Sequence, residues 1–207
     1  MMPKVLVVKA HPFSEEYSRT MKVTNAFLKS YREHHPDDDI EEMNLYDMTI
    51  PEIDRDLLEA WSKLKQKIPF YSLSNEQQHK VTLFDSFTAS FMEKDKVVIA
   101  NPLWNLSVPT RLKAWIDTIT VAGKTFKYTD QGSVGLLEGK KALHIQSSGS
   151  VYNGSDPASQ YVKMLFTFLG FKDYHQLFVE GMDHYPERAT EIMEEAIKKA
   201  VEMGKTF

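Results

Sequence analysis

The sequence of 207 residues contains no cysteine, which excludes disulfide bonds, thiolate nucleophiles and thiolate metal sites. Any redox chemistry must therefore come from a cofactor. No apolar run approaches the roughly 20 residues that a membrane-spanning helix needs. The opening stretch MMPKVLVVKA becomes polar too soon for a signal peptide. We expect a cytoplasmic location without membrane contact.

The chain also has fewer basic than acidic residues, with 25 Lys and Arg and 29 Asp and Glu, which gives a net charge of -4. The two signs are interspersed, so the chain lacks the basic stretch that nucleic acid requires, and nucleic acid is not an expected partner. Hydrophobic residues make up 42% of the chain, enough to fill one large core. We predict a single domain over residues 1–207.

Short β-branched runs alternate with longer amphipathic stretches. Such runs predict strands at residues 4–10, 39–45, 96–102, 141–148 and 174–181. The first and third have continuous apolar centres, which is typical of strands covered on both faces. The alternation predicts an α/β fold with a doubly wound five-stranded parallel sheet and helices on both faces.

Apolar residues recur at helical spacing in stretches 81–91, 108–119 and 189–201. Ser74 and Gln77 form a predicted capping box ahead of the first of these helices, and Gly204 is the expected C-cap of the third. The segment 47–74 is long for a connection. Its stretch RDLLEAWSKLKQ predicts an inserted helix on the surface of the same domain.

Ligands of an open parallel sheet bind outside the carboxyl ends of the strands, where three loops qualify here. The first loop begins at His11 and enters a helix through YSRT, residues 17–20, so hydroxyl and unpaired N–H groups face outward at a helix N-terminus. This pattern favours a phosphate site, and Ser18 acting only as an N-cap explains it equally well. P-loop and G-x-G-x-x-G spacings are absent, which disfavours nucleoside triphosphates and dinucleotides.

The second loop, NPLWNLSVP, has prolines at both edges that fix the backbone. Its apolar side chains and one amide suit a flat heterocycle, and the alternative is that they only plug the end of the sheet. The third loop, SSGSVYNGS, is rich in small residues. Gly149 there permits close approach of backbone N–H groups to a ligand, although the loop taken alone is an ordinary turn.

Three motifs, NPLWNLSVPTRLKAWID, AGKTFKYTDQGSVGLLEGKKAL and SSGSVYNG, together resemble the FMN-dependent NADH-azoreductase family, also described as NADH:quinone oxidoreductases with a flavodoxin-like fold. The resemblance extends from the first strand to the C-terminal helix. It implies an FMN cofactor, NADH or NADPH as electron donor, and quinones and azo compounds as acceptors at one shared site, with ping-pong kinetics. It also implies a homodimer whose active site lies at the subunit junction.

The resemblance also assigns residues. It implies that the FMN phosphate is held by Ser18, Arg19 and Thr20. It implies that the flavin ring lies against two loops, made of Leu103, Trp104, Asn105, Leu106, Ser147, Ser148, Gly149 and Ser150. Pro102 and His11 are further candidates for the cofactor site, and His11 either bonds the flavin or only shapes its turn. The aromatic residues that resemble those of the subunit junction are Phe126, Tyr128 and Phe168.

Two departures from the family affect the choice of substrate. Ser148, Gly149 and Ser150 stand where many relatives carry Arg-Gly-Gly, and Val121 replaces an Arg. Both changes remove positive charge, so the preference between NADH and NADPH stays open. Tyr152 is a candidate proton donor and an ordinary exposed tyrosine is the alternative, so no side chain is a certain catalytic acid or base.

Other functional classes are weighed against this interpretation. A flavodoxin-type electron carrier, which binds FMN without turning over a substrate, fits the three loops equally well, and the junction aromatics favour an enzyme. A serine hydrolase is disfavoured because the region around Ser148 lacks G-x-S-x-G. The scattered histidines lack H-E-x-x-H spacing, so no metal is expected, and His144 is read as a strand residue.

Overall fold

The computed structural model describes residues 2–207. Its strands are β1 (Lys4–Lys9), β2 (Asp39–Asn44), β3 (Lys96–Pro102), β4 (Phe126–Thr129), β5 (Gly132–Gly135), β6 (Lys141–Ser148) and β7 (Asp173–Glu180). Five of them form one parallel sheet in the order β2-β1-β3-β6-β7. The predicted α/β fold and its five-stranded parallel sheet are confirmed, with each strand ending within about one residue of its predicted limit. The antiparallel hairpin β4–β5 is an addition that the sequence patterns did not predict.

The helices are α1 (Arg19–His34), α2 (Arg55–Lys65), α3 (Asn75–Met92), α4 (Thr110–Ile119), α5 (Pro157–Leu169) and α6 (Ala189–Thr206). The predicted capping box is present, because Gln77 N–H donates to Ser74 Oγ over 3.1 Å and Ser74 N–H donates to Gln77 Oε1 over 3.4 Å. Helix α2 is the predicted inserted helix, and its Leu57 packs with Phe84 of α3 in a small cluster. Within residues 2–207, no helix has the length and apolar character needed to cross a bilayer.

Helices cover both faces of the sheet because successive residues of a strand point to opposite sides. On one face, Leu6 and Ile99 belong to a buried cluster with residues of α3, α4 and α5. On the other face, Val7 and Val98 belong to a cluster with residues of α1 and α6. Burial of one such side chain stabilises the fold by about 1.5–3 kcal/mol, so the two clusters hold the strand ends and their loops in fixed positions.

The expectation that Gly204 ends the last helix was wrong. Helix α6 continues to Thr206, and Gly204 lies in its final turn against α1. A Cβ atom at this position would lie 2.7 Å from the carbonyl oxygen of Phe27 and 2.9 Å from Cβ of Ser30. The glycine is needed because the two helices approach closely there.

Candidate functional site

The three predicted ligand loops, which follow β1, β3 and β6, meet at the carboxyl edge of the sheet. The strand order reverses between β1 and β3, so this edge is the topological switch point. The loops enclose a cleft of about 370 Å³, lined by His11, Tyr17, Ser18, Arg19, Pro102, Leu103, Trp104, Ser147, Ser148, Gly149 and Asp183. All of these except Tyr17 and Asp183 belong to the predicted cofactor site.

The other predicted cofactor residues lie in the same loops but do not line this cleft, namely Thr20, Asn105, Leu106 and Ser150. Thr20 is fully buried, and its hydroxyl lies 2.6 Å from Oγ of Ser147, so it ties the first loop to the third. Tyr152 is also outside the cleft lining. Its backbone N–H donates to the Glu180 carboxylate over 3.1 Å, which anchors the residue to the end of β7.

The N-terminus of α1 forms one wall of the cleft. Ser18 is its N-cap, with an extended backbone, and its Oγ accepts the N–H of Met21 over 3.3 Å. The N–H groups of Arg19 and Thr20 donate to no acceptor among residues 2–207. The first helical turn contains no acidic residue, so the positive end of the helix dipole is not neutralised within it. The capping role of Ser18 and an anion site are therefore compatible.

Arg19 adds a positive side chain at this wall. Its Nη2 donates to Oδ1 of Asp183 over 2.7 Å. This hydrogen bond, and the charge of the guanidinium, hold the pKa of the Asp183 carboxyl below its usual range. Asp183 follows β7, so it lies at the same carboxyl edge, and sequence reasoning missed it because only the loops after three strands were considered. The fifth strand carried the same positional signal.

The loop after β3 is a tight, rigid turn. Trp104 N–H donates to the carbonyl of Ser107 over 3.1 Å, and Ser107 N–H donates back to the carbonyl of Trp104 over 2.9 Å. The central residues Asn105 and Leu106 have φ of 51° and 61°, as in a type I′ turn. A leucine in this conformation costs about 1–3 kcal/mol, and the turn presents Leu106 and Trp104 at the surface.

His11 lies beside this turn. Its ring centroid is 5.4 Å from that of Trp104, and its Nδ1 accepts the N–H of Phe13 over 3.0 Å. Burial lowers the pKa of His11, so the ring is neutral near pH 7. With Nδ1 acting as the acceptor, the ring proton is on Nε2, so the neutral ring keeps one hydrogen-bond donor.

The loop after β6 is joined to the loop after β7 through Gly149. The carbonyl of Gly149 accepts N–H groups from Asp183 over 3.2 Å and from His184 over 3.1 Å. A Cβ atom on Gly149 would lie 2.4 Å from Oδ2 of Asp183. A side chain at this position is therefore excluded unless Asp183 moves away from its place beside Arg19.

The predicted junction aromatics form one cluster outside the cleft. The ring of Phe126 is 5.3 Å from Tyr128 and 4.6 Å from Phe168. Phe126 is buried, Phe168 is half-buried, and Tyr128 is 74% exposed. None of the three lines this cleft.

A larger cleft of about 1090 Å³ lies between β7 and α6. Its lining combines acidic and basic side chains of α6, such as Glu195 and Lys199, with residues of the edge strand such as Phe178. It is lined by the N-cap of α6, Arg188, but by none of the predicted cofactor residues. Size alone does not make it the site, because the donors that match a ligand lie in the smaller cleft.

The donors of the smaller cleft fit a ligand with one terminal phosphate and a flat ring. The free N–H groups of Arg19 and Thr20 and the Arg19 guanidinium match the oxygens of a single phosphate. Trp104 and Leu103 offer apolar contact for a ring face. Gly149 lets backbone approach a ring edge. FMN has one terminal phosphate and a flat ring with a polar edge.

Comparison with known proteins gives a consistent assignment. A family model described as flavodoxin-like fold matches residues 3–203. An FMN-dependent NADH:quinone oxidoreductase of Streptococcus suis is 46% identical over 198 residues, which cover 96% of each chain. This chain belongs to that flavodoxin-like family. A second relative, FMN-dependent NADH:quinone oxidoreductase 2 of Bacillus licheniformis, is 42% identical over 211 residues with complete coverage of both chains.

Solved structures of this family share the fold closely. An azoreductase from Bacillus anthracis strain Sterne superimposes with a TM-score of 0.92 at 34% identity and covers all of both chains. An FMN-dependent NADH-azoreductase from the Ames Ancestor strain of the same species, solved in complex with FMN, gives a TM-score of 0.90 at 35% identity and covers 98% of each chain. The family and the flavodoxin-like fold predicted from the three motifs are confirmed.

Proposed function

We propose that this chain is an FMN-dependent oxidoreductase that passes electrons from NADH or NADPH to quinones and azo compounds. The observation that carries the proposal is the cleft itself, which joins the anion site at Arg19 to the rigid turn at Trp104. The names of the relatives support an enzyme, and they do not favour an electron carrier. FMN, when bound, would supply the electron transfer that a chain without cysteine has no side chain to perform.

At one end of the cleft, the first turn of α1 would bind the phosphate through the free N–H groups of Arg19 and Thr20. Ser18 keeps this turn capped. Arg19 is held at the cleft wall by Asp183 and would share its guanidinium with the phosphate. Thr20 contributes through its backbone, because its hydroxyl is already bonded to Ser147.

At the other end, the turn of Trp104, Asn105 and Leu106 would support the flavin ring, and the loop from Ser147 through Ser148 and Gly149 to Ser150 would face its polar edge. Backbone N–H groups of this second loop would stabilise negative charge on a reduced ring. His11 would donate from Nε2. Tyr152 as a proton donor stays a prediction from the sequence.

The chain would act as one domain in a homodimer, with Phe126, Tyr128 and Phe168 reaching the partner's cleft. Tyr128, Val134 of β5 and Met164 of α5 are large apolar side chains exposed on the hairpin and the neighbouring helix. Exposed apolar surface of this kind marks interaction sites. The nicotinamide and the acceptor would occupy the same place in turn, which predicts ping-pong kinetics. A cytoplasmic location also stays a prediction.

A steady-state assay tests this function. The purified protein, loaded with FMN, should oxidise NADH or NADPH over many turnovers only when a benzoquinone or an azo dye is present under anaerobic conditions, and without an acceptor it should stop after one equivalent per flavin. Double-reciprocal plots at several acceptor concentrations should give parallel lines. FAD at the same concentration should not replace FMN, because the first turn of α1 would bind one terminal phosphate and the chain lacks the G-x-G-x-x-G element that favours a pyrophosphate. A loaded protein that oxidises neither nicotinamide would leave only the carrier function.

Replacement of Phe168 by alanine tests the composite site. We expect the KM for the quinone to rise by about 5–10-fold, since loss of a desolvated aromatic contact costs about 1–1.5 kcal/mol. FMN content should stay at the wild-type level, because Phe168 lies outside the cleft of its own chain. The measurement is acceptor kinetics alongside flavin content, with Thr167→Ala on the exposed side of the same helix as the control. Lower thermal stability with unchanged KM would make Phe168 only a packing residue of α5.

A further inference from the structure

A chain of buried polar side chains lies directly behind the cleft. We call it the buried polar chain, and it consists of Asn101, His144, Gln146, Asp156 and Ser159, each no more than 1% exposed. His144 Nε2 lies 2.8 Å from Asn101 Oδ1, Asn101 Nδ2 lies 3.4 Å from Gln146 Oε1, and Gln146 Nε2 lies 3.0 Å from Asp156 Oδ2. None of these residues lines the cleft. Buried polar groups are costly unless paired, so such a chain has to be matched link by link.

The buried polar chain reaches the cleft through one peptide unit. Asn101 Nδ2 donates to the carbonyl of Pro102 over 3.0 Å, and the N–H of Leu103 donates to the carbonyl of Ser147 over 2.8 Å. The peptide between Pro102 and Leu103 is therefore held at both its acceptor and its donor. Both residues line the cleft, and the turn at Trp104 follows immediately.

The hydrogen bonds of the buried polar chain can run in only one direction, with each residue donating to the next from His144 toward Asp156. Asp156 is the N-cap of α5, where Oδ1 accepts Ser159 N–H over 2.9 Å, and Oδ2 accepts the Ser159 hydroxyl over 2.6 Å. Burial alone would raise the pKa of Asp156, but the hydrogen bonds from Ser159 and Gln146 lower it overall, so the group is an ionised carboxylate that only accepts. Gln146 must then turn its NH₂ toward Asp156 and its carbonyl toward Asn101.

The same direction continues to the other end. Asn101 must turn its NH₂ toward Gln146, and that orientation also places the NH₂ on the Pro102 carbonyl, which only accepts. Its own oxygen then faces His144, which has to donate from Nε2. Complete burial lowers the pKa of His144 to about 4, so the ring is neutral and has one proton to place. An Asn101 amide turned the other way would set two oxygens about 3 Å apart at Pro102.

We propose that Asn101 is a positioning residue for the turn of residues 104–107, which we call the flavin turn. We also propose that Asp156 fixes the orientation of the Asn101 amide through Gln146. The inference rests on the proposed function, because it concerns the loop that would hold FMN. It also connects the flavin turn to α5, since Asp156 begins the helix that carries Phe168. A change at Asp156 should therefore alter flavin binding, although the residue lies outside the cleft.

The substitution Asp156→Asn tests the direction of the chain. The introduced amide can still cap α5 with its oxygen, so its NH₂ has to face the NH₂ of Gln146. To remove this contact between two NH₂ groups, the side-chain amides of Gln146 and then Asn101 have to exchange the positions of their oxygen and nitrogen. This exchange sets the Asn101 oxygen against the Pro102 carbonyl. We expect the Kd for FMN to rise about 10-fold, as expected for one hydrogen bond replaced by a repulsive contact, with a shift of the visible flavin band.

The double variant Gln146→Glu/Asp156→Asn provides the rescue. It moves the single negative charge to position 146, where the carboxylate accepts from Asn101 on one side and from the new amide at position 156 on the other. FMN affinity and the flavin spectrum should return close to those of the wild type. The control is Asp54→Asn, the same change at the N-cap of α2, which should leave the Kd for FMN unchanged.

Three outcomes would overturn the proposal. Wild-type FMN affinity in folded Asp156→Asn would show that the hydrogen-bond direction in the buried polar chain does not affect flavin binding. A double variant that binds FMN no better than Asp156→Asn, or that fails to fold, would show that matching does not restore the turn. A comparable loss in Asp54→Asn would reduce the effect to a missing cap charge. Failure of the wild-type protein to bind FMN would instead count against the proposed function.

Discussion

Replacement of Gly149 by valine should strongly weaken FMN binding while the protein still folds. The first side-chain carbon would lie 2.4 Å from Oδ2 of Asp183 and 3.1 Å from its Cβ, so Asp183 and the loop after β7 have to move. That movement removes the partner of Arg19, and the branched side chain occupies the space where backbone would meet the flavin edge. We expect FMN affinity to fall by about 5- to 150-fold, since overpacking of this kind costs about 1–3 kcal/mol and each 1.4 kcal/mol is a factor of ten in Kd.

The measurement is titration of FMN fluorescence quenching, with far-UV circular dichroism to confirm folding. Gly149→Ala serves as the graded comparison, because its single methyl group meets Asp183 but extends less toward the ligand. A second comparison, Gly149→Ala/Asp183→Ala, removes the shortest contact, the one with the Asp183 carboxylate. Valine at position 149 with full flavin content would place the polar edge of the ring against a different loop.

Replacement of Arg19 by alanine should weaken FMN binding by about 10- to 100-fold and leave riboflavin binding unchanged. A charge-assisted hydrogen bond to phosphate contributes about 1.5–3 kcal/mol, and riboflavin has the same ring without the phosphate. The free N–H groups of the first turn of α1 remain in the variant, so some preference for FMN over riboflavin should persist.

Isothermal titration with both ligands at two salt concentrations measures this effect. The matched control is Arg32→Ala, which removes an arginine from the last turn of the same helix and should alter neither affinity. Equal losses for FMN and riboflavin would mean that Arg19 maintains the shape of the cleft through Asp183. In that case the phosphate would have to be held elsewhere.

Sequence patterns predicted the sheet well because its central strands are buried on both faces, so strands such as β1 and β3 appear as continuous apolar runs between polar ends. The hairpin β4–β5 was missed because its strands are only four residues long and mostly exposed, which is too short for a pattern to stand out. Helix α5 was not among the predicted helical stretches, although the sequence contains its start and stop signals. These are Asp156, Pro157 and Gly170, the last with φ of 102°.

The loops of the site could be placed from the sequence, but their internal geometry could not. The rule that ligands bind at the carboxyl edge locates Ser18, Trp104 and Gly149 together. A left-handed Leu106 contradicts its own backbone preference, so nothing local predicts the type I′ turn. The pair of Arg19 with Asp183 joins positions 164 residues apart, and only the packed sheet brings them into contact.

The most direct test of the central claim follows each half-reaction separately. The FMN-loaded protein is mixed anaerobically with NADH in a stopped-flow instrument, and the visible flavin absorbance is recorded. The account predicts that the absorbance is lost at a rate at least equal to kcat, and that a benzoquinone or an azo dye added afterwards restores it at a comparable rate. A flavin that NADH and NADPH leave oxidised, or whose reduced form neither acceptor reoxidises, would contradict the assignment as an NAD(P)H-dependent quinone and azo-compound reductase.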